Sequence, residues 1–295
     1  MLEFRDIDIS DKEKVNTALA ASDNRGCEYS FANNMAWRRL GESKIAFFKD
    51  FYICGAFGGY SERPRFILPA GKGDIREVIA ELKMYSESAG YPLMLTGVTD
   101  KQLDMLNELY PGGFTSELDR DSSDYIYLRS DLAELAGKKY HAKRNHLARF
   151  NELDYEFSMI TEKDFDDCIL FCVDKYNNSD KSDHSFIAEQ FAINTYFSYY
   201  DELALKGGII RINGKIAALT IGEKLNSDTF CVHIEKADTF YSGIYAGINN
   251  LFVKSCTAGT EYINREEDLG IEGLRKSKLS YHPAFILNKH TLIFN

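Results

Sequence analysis

The run LKGGIIRINGKIAALTIGEKLNSDTFCVHIEKADTFYSGIYAGINN, from Leu205 to Asn250, decides the fold. Leu205 to Ile212 and Lys215 to Gly222 flank Asn213-Gly214, a dipeptide that accepts the positive φ angles of a two-residue hairpin turn. Phe230 to Glu235 is apolar and β-branched enough to predict a third strand. From Ile244 to about Thr257 the apolar spacing becomes helical. The segment is therefore an antiparallel three-strand meander that delivers the chain into a helix.

Outward from this run, the second half predicts a strand at Glu156 to Met159 and helices from Glu162 to about Tyr176 and from Phe186 to about Tyr200. After the meander come a strand at Glu261 to Asn264, a short helix at Ile271 to Ser277, and closing strands at Phe285 to Leu287 and Leu292 to Phe294. The first half has the same order. Helices at Asp11 to Ala21, with Ser10 as N-cap, and at Phe31 to Leu40, capped by Ser30, precede strands at Ile45 to Phe48, Phe51 to Ala56 and Arg65 to Leu68. A helix from Asp74, a strand at Leu93 to Thr96, a helix at Asp100 to Leu109 and strands near Phe114 and Tyr125 complete it. The expected class is α/β (α+β), with one domain over residues 1–128 and a second over 129–295, joined near Tyr127 to Leu135 by a helix from Asp131 to Asn151. Similarity between the halves is one of element order, not of residues. This order resembles the Gcn5-related N-acetyltransferase (GNAT) fold. That resemblance implies that the third meander strand and the next strand splay apart. An acyl carrier then enters the gap, with its phosphates near the N-terminus of the intervening helix.

With 295 residues, 44% of them hydrophobic, the chain can fill two cores. The segment Met1 to Lys14 is charged and lacks an apolar core, and no stretch approaches the roughly 20 apolar residues that cross a bilayer, so a cytoplasmic location is expected. Six cysteines without a Cys-x-x-Cys motif predict reduced core thiols. Cys168 and Cys172 have half of a metal-site spacing but lack a second ligand pair, and N-capping before Phe186 accounts for the polar loop Asn177 to His184. No metal is expected. A net charge of −10 excludes a protein that coats nucleic acid through its global field, leaving only a local patch for such contact.

Three segments carry candidate chemistry. In the first, Leu135 to Phe150, LAGKKYHAKRNHLARF, a helical projection places Lys143 within a stripe of Leu132, Ala136, Tyr140, Leu147 and Phe150. Its ammonium either snorkels to water, or joins Lys139 and Arg144 in holding a phosphate or tRNA backbone. The Lys143 partner is then that phosphate or an acid such as Glu235 or Glu266. In the second, strand alternation puts His233 and Glu235 on one face. Glu235, at the strand end, either takes a proton from an amine nucleophile or pairs with Lys236 or Arg265. Ser242 and Gly243 either cap the following helix or contact a phosphate. The third segment, Glu261 to Pro283, crowds Asn264, Arg265, Glu266, Lys276 and Tyr281 at a strand-to-helix junction, where α/β folds place ligands; salt bridging around a turn is the alternative. A Gly-x-Ser-x-Gly elbow is absent, which disfavours a serine hydrolase. Gly71-Lys72-Gly73-Asp74 is too short for a P-loop.

The segments AGKKYHAKRNHLARF, HIEKAD and YINREEDLGIEGLRKSKLSYHP resemble, over nearly the whole chain, the DUF2156 group, the C-terminal domain of phosphatidylglycerol lysyltransferase. That group is similar to the Fem aminoacyl transferases. The resemblance implies tandem GNAT-like domains and transfer of an acyl or aminoacyl group to an amine or hydroxyl, with a coenzyme-A thioester or aminoacyl-tRNA as donor. Two features are not carried over. The lysyltransferases' membrane segment is absent, and the coenzyme-A signature Gln/Arg-x-x-Gly-x-Gly/Ala does not occur at Ser242 to Gly247. Neither the lipid acceptor nor acetyl-CoA is therefore carried over, and the residue readings above make Glu235 the candidate base, Lys139, Lys143, Arg144, Ser242 and Gly243 the candidate carrier contacts, and His233, Asn264, Arg265, Glu266, Lys276 and Tyr281 the candidate substrate pocket. The alternative is a non-catalytic protein whose degenerate pocket senses an acyl or nucleotide-like metabolite.

Overall fold

Two β-sheets organise the chain, and the last strand of the sequence returns to the first of them. The computed structural model describes residues 2–58, 63–177 and 184–295. One unit comprises Met1–Asp124, Glu267–Ile271 and Ile286–Asn295; the other comprises Tyr125–Glu266 and Glu272–Phe285.

The first unit begins with β1 (Arg5–Asp6), α1 (Lys12–Ser22) and α2 (Phe31–Ala36). A meander follows, β2 (Ser43–Phe48), β3 (Phe51–Ala56) and β4 (Arg65–Ile67), with β5 (Ala70–Gly71) paired to β3. Next come α3 (Ile75–Ser88), β6 (Met94–Thr99), α4 (Asp100–Leu109) and β7 (Phe114–Leu118). Helix α3 illustrates the local logic. Asp74 caps it by accepting from the Arg76 amide, and Val78, Ile79, Leu82 and Ser86 line its buried face at helical spacing. Val78, Ile79 and Leu82 share a core with Phe51, Ile53, Phe66 and Leu95 of the sheet.

The second unit contains β8 (Asp124–Leu128), α5 (Arg129–Glu134), α6 (His141–Phe150), β9 (Glu156–Met159), α7 (Phe165–Asn177) and α8 (His184–Ser198). It continues with β10 (Lys206–Ile212), β11 (Lys215–Lys224), β12 (Thr229–Ala237), α9 (Ile244–Cys256), β13 (Tyr262–Asn264), α10 (Glu272–Leu279) and β14 (Phe285–Leu287). Its sheet has the order β14-β8-β13-β12-β11-β10-β9. The Asn213-Gly214 hairpin forms as expected, with both residues at positive φ.

The splay is also present. Strand β12 pairs antiparallel with β11 from Phe230 to Ala237, but runs parallel with β13 only from Thr229 to Cys231, opposite Tyr262 to Asn264. Beyond that point β13 ends and β12 continues alone on that side. The protein is thus an α/β chain of two GNAT-like units.

Four expectations need correction. The closing strand does not stay with the second half: β15 (Lys289–Phe294) lies between β6 and β7 in the first sheet, where Leu292 and Phe294 enter the first core. Both β6 and β7 gain an antiparallel partner in this way, which covers two edges that would otherwise be left open. The helix expected from Asp131 to Asn151 is interrupted. Leu135 (φ 50°) and Gly137 (φ 82°) are left-handed, a 3-10 turn spans Lys138–Tyr140, and Ala136 is exposed. Finally, α2 stops at Ala36 instead of reaching Leu40, and Asp8, not Ser10, provides the cap at the chain's first helical turn.

Candidate functional site

Where β12 and β13 part, the second unit has a cavity of about 370 Å³. Its walls come from four places. Helix α6 supplies Lys143 and His146; the end of β12 supplies Glu235; the following loop and first turn of α9 supply Thr239 and residues 241–246; Arg265, Ser277 and Tyr281 close the remaining side. Glycine is required at the α9 entrance. Gly243 has φ +79°, and a Cβ there would stand 2.0 Å from the His146 carbonyl oxygen. Gly247 similarly lets α9 lie against the Phe150 ring, where a Cβ would come within 2.5 Å. The tight α6–α9 contact thus fixes Lys143 beside the α9 N-terminus. Gly243 offers no side-chain cap, so the helix dipole and first-turn amides face the cavity rim without one.

The charges inside are arranged unevenly. Arg265 donates from Nη2 to Glu235 Oε1 at 2.8 Å, and Asn249 donates to the other Glu235 oxygen at 3.3 Å. The Arg265 Nη1 atom is buried without an acceptor among the described residues. Burial works against the charged guanidinium, but Glu235, Tyr127 and Tyr281 together outweigh it and hold the Arg265 pKa above its usual value. Lys143 places its ammonium 3.8 Å from the centroid of the Tyr281 ring, and Arg265 lies 4.9 Å from the same ring. Burial, reinforced by the Arg265 charge and partly offset by Glu235, pushes the Lys143 pKa down to about 8. Of the two expected partners, a phosphate or an acid such as Glu235 or Glu266, neither acid forms an ion pair with Lys143 among the described residues, and the ammonium lies instead over an aromatic face. Tyr281 itself is pushed up to about 12 by burial.

The cavity gathers Lys143, Glu235, Ser242, Gly243, Arg265 and Tyr281 from the expected set. The other members have different employment. Lys139 pairs with Asp131 at 3.0 Å, and Arg144 donates to the carbonyls of Leu135 (2.5 Å) and Gly137 (2.7 Å), serving the helix break. Lys276 is exposed on α10. Asn264 is buried and accepts from the Glu266 amide at 2.7 Å, which holds Glu266 in a left-handed conformation. His233 does not share Glu235's surroundings, because a β-bulge interrupts the alternation: Ile221 pairs with Ile234 and Gly222 with Val232, leaving His233 as the extra residue. Its ring instead sits between Glu266 (2.8 Å from Nδ1) and Glu223 (3.2 Å from Nε2), stacked on Tyr196.

Some residues were not singled out from the sequence. His146, Thr239, Tyr241 and Tyr245 line the cavity, and only proximity to the Lys143 and Ser242 motifs signalled them. Lys278 is buried and donates to the carbonyls of Arg265 (2.5 Å) and Glu266 (3.1 Å), so it braces the Arg265 backbone. The loop from Asn177 to His184 lies almost wholly outside the described residues. No helix among the described residues is long and apolar enough to cross a membrane.

A protein of unknown function from Bacteroides thetaiotaomicron has 39% identity and a TM-score of 0.94, with both chains covered completely. L-PGS from Bacillus licheniformis has 14% identity and a TM-score of 0.70 over 96% of this chain and 91% of that one. FemX has 7% identity and a TM-score of 0.66 over 99% and 97%. An uncharacterized protein of Mycoplasmoides gallisepticum is 25% identical over 173 residues, 57% of this chain, and the match spans 55% of that relative's length. Residues 19–292 match the family described as phosphatidylglycerol lysyltransferase, C-terminal, and the chain belongs to that family.

Proposed function

We propose that the chain is a transferase that moves an acyl or aminoacyl group from a phosphate-bearing carrier to an amine or hydroxyl. The observation that carries this reading is the cavity's pair of incompletely matched cations. Among the described residues Arg265 presents a buried N–H donor without an acceptor, and Lys143 lies over the Tyr281 ring, both in the cavity rimmed by the α9 N-terminus. An anionic group there would restore the lost hydrogen bond and raise the Lys143 pKa again. The carrier's phosphates supply such a group. Glu235 orients Arg265 and lies within the same cavity, where it can receive the proton of an attacking amine. Membership of the lysyltransferase family and the FemX-like fold support the reaction class.

One observation favours a second reading, a binding protein without turnover. Both Glu235 oxygens are already engaged, by Arg265 and Asn249. Binding of coenzyme-A thioesters and aminoacyl-tRNA, followed by product assays with amine and hydroxyl acceptors, separates the two. Transfer of the acyl group supports the enzyme. Binding without product supports the sensor, and no binding of either carrier rejects both.

A further inference from the structure

A second cluster lies in the same unit but outside the cavity lining. Cys231 and His233 project from β12, and Glu266 meets them from the turn after β13. The Cys231 Sγ lies 3.7 Å from Glu266 Oε1, and the His233 Nδ1 lies 2.8 Å from the same oxygen. One thiol sulfur, one imidazole nitrogen and one carboxylate oxygen all fall within 4.8 Å of one another. Around a tetrahedral zinc ion, with bonds of about 2.0–2.3 Å, neighbouring ligand atoms stand roughly 3.3–3.6 Å apart. The Sγ–Oε1 separation is already close to that spacing, and the Nδ1–Oε1 separation is shorter than it.

Three further observations favour an ion there. The His233 Nε2 is 3.2 Å from Glu223 Oε1, the arrangement by which metal-ligating histidines fix their tautomer: Nε2–H donates to the carboxylate and the Nδ1 lone pair faces the metal. The bulge at His233 re-aims this one side chain. Glu266, a non-glycine residue at φ 57°, is held in that conformation by Asn264 and Lys278, so the backbone is strained where the carboxylate must point. A comparable trio in the first unit, Cys27, Asp124 and Glu267, makes the contrast clear. There the Lys289 ammonium already stands 2.7 Å from Asp124 and 3.5 Å from Cys27, supplying the cation from the chain itself.

We propose that Cys231, His233 and Glu266 form a zinc site, with Glu223 orienting the imidazole. The mixed sulfur, nitrogen and oxygen donor set suits Zn²⁺ and disfavours Mg²⁺ or Ca²⁺, which select oxygen. Binding displaces the Cys231 thiol proton and any second proton on His233 to solvent, and the ion pins Glu266 next to Arg265, linking the site to the wall of the cavity.

The full-length protein, stripped with EDTA, is titrated with Zn²⁺ by calorimetry and with Co²⁺ by absorbance. The expected result is one ion per chain, with a sulfur-to-cobalt charge-transfer band and the strong visible bands of tetrahedral cobalt. His233→Gln and Cys231→Ser should each weaken binding at least about 100-fold and Glu223→Gln about 10- to 100-fold, as expected for a ligand's supporting carboxylate. Should Cys231→Ser fail to fold, Glu266→Gln, whose side chain is partly exposed, provides the same test with an intact circular dichroism spectrum as control. Absence of stoichiometric binding by the wild type overturns the proposal, as does binding that His233→Gln and Glu266→Gln leave unchanged.

Discussion

Two buried lysines, one in each unit, face opposite circumstances. Lys289 in the first unit is 3% exposed, and its ammonium lies 2.7 Å from Asp124 and 2.9 Å from Glu28, the latter contact within ion-pair distance but off the donor direction. Lys143 in the second unit meets the Tyr281 ring, while the nearby acid, Glu235, is held by Arg265 and Asn249. Burial disfavours both charges. In the first case the chain supplies the counter-charge, and neighbouring acids, with Asp124 foremost, raise the pKa well above its usual value despite that burial. In the second, burial and the Arg265 charge outweigh the partial compensation from Glu235, and the value falls to about 8. A buried cation matched by the chain is part of the structure. One left unmatched beside a cavity points to a ligand.

The largest effect expected from this contrast is at Lys289. Lys289→Met removes the cation but leaves Asp124 and Glu28 buried, so urea unfolding should show a loss of about 3–5 kcal/mol. A loss below about 1 kcal/mol would show that those acids are protonated or solvated and would break the comparison. Next is Gly243→Ala, which combines a left-handed backbone with a Cβ 2.0 Å from a carbonyl oxygen. About 2 kcal/mol of destabilisation is expected, together with loss of carrier binding as α6 and α9 are forced apart.

Lys143→Met should act in the opposite direction on stability. Its gain near neutral pH should be about 1 kcal/mol, discounted because the side chain is only partly removed from solvent. The sign follows from proton counting. Between pH about 8 and the unfolded value of about 10.4, the unfolded chain binds more protons at this lysine, so wild-type stability rises with pH and the advantage of methionine fades. Lys289, with its folded pKa raised, stabilises fully below about pH 10.4 and loses that contribution only at higher pH. Carrier binding by Lys143→Met should fall about tenfold or more, and wild-type binding should weaken as pH rises through about 8. Unchanged binding in the variant would remove Lys143 from the anion site. The smallest effect belongs to Lys139→Ala. Its exposed pair with Asp131 predicts a change within about 0.5 kcal/mol and no loss of carrier affinity, in contrast to the earlier assignment of Lys139 to the phosphates.

Much of this was legible because it is local. Asn213-Gly214 set the hairpin, Ser30 and Asp74 marked their helix starts, and apolar spacing separated β12 from α9. The Lys143 stripe drew attention to α6, even though Leu135 and Gly137 break the helix before it. Ser242, Gly243, Glu235, Arg265 and Tyr281 were named from strand ends and junctions, and all line the cavity. Those signals are properties of short segments, whose backbone preferences and side-chain periodicity do not depend on distant residues.

Tertiary structure decided the rest, wherever one residue had to choose among several partners. Nothing in the composition of Lys139 and Arg144 distinguishes them from Lys143, yet Asp131 and two exposed helix carbonyls claim the first two. Alternation predicted that His233 would accompany Glu235, and a single bulge gave it to Glu223 and Glu266 instead. The final strand could pair with either sheet by its residue pattern, and the open ladder between β6 and β7 determined which. In each instance, the deciding energy is a long-range contact, an ion pair, a hydrogen bond or a strand edge. It exists only once the chain has brought the partners together.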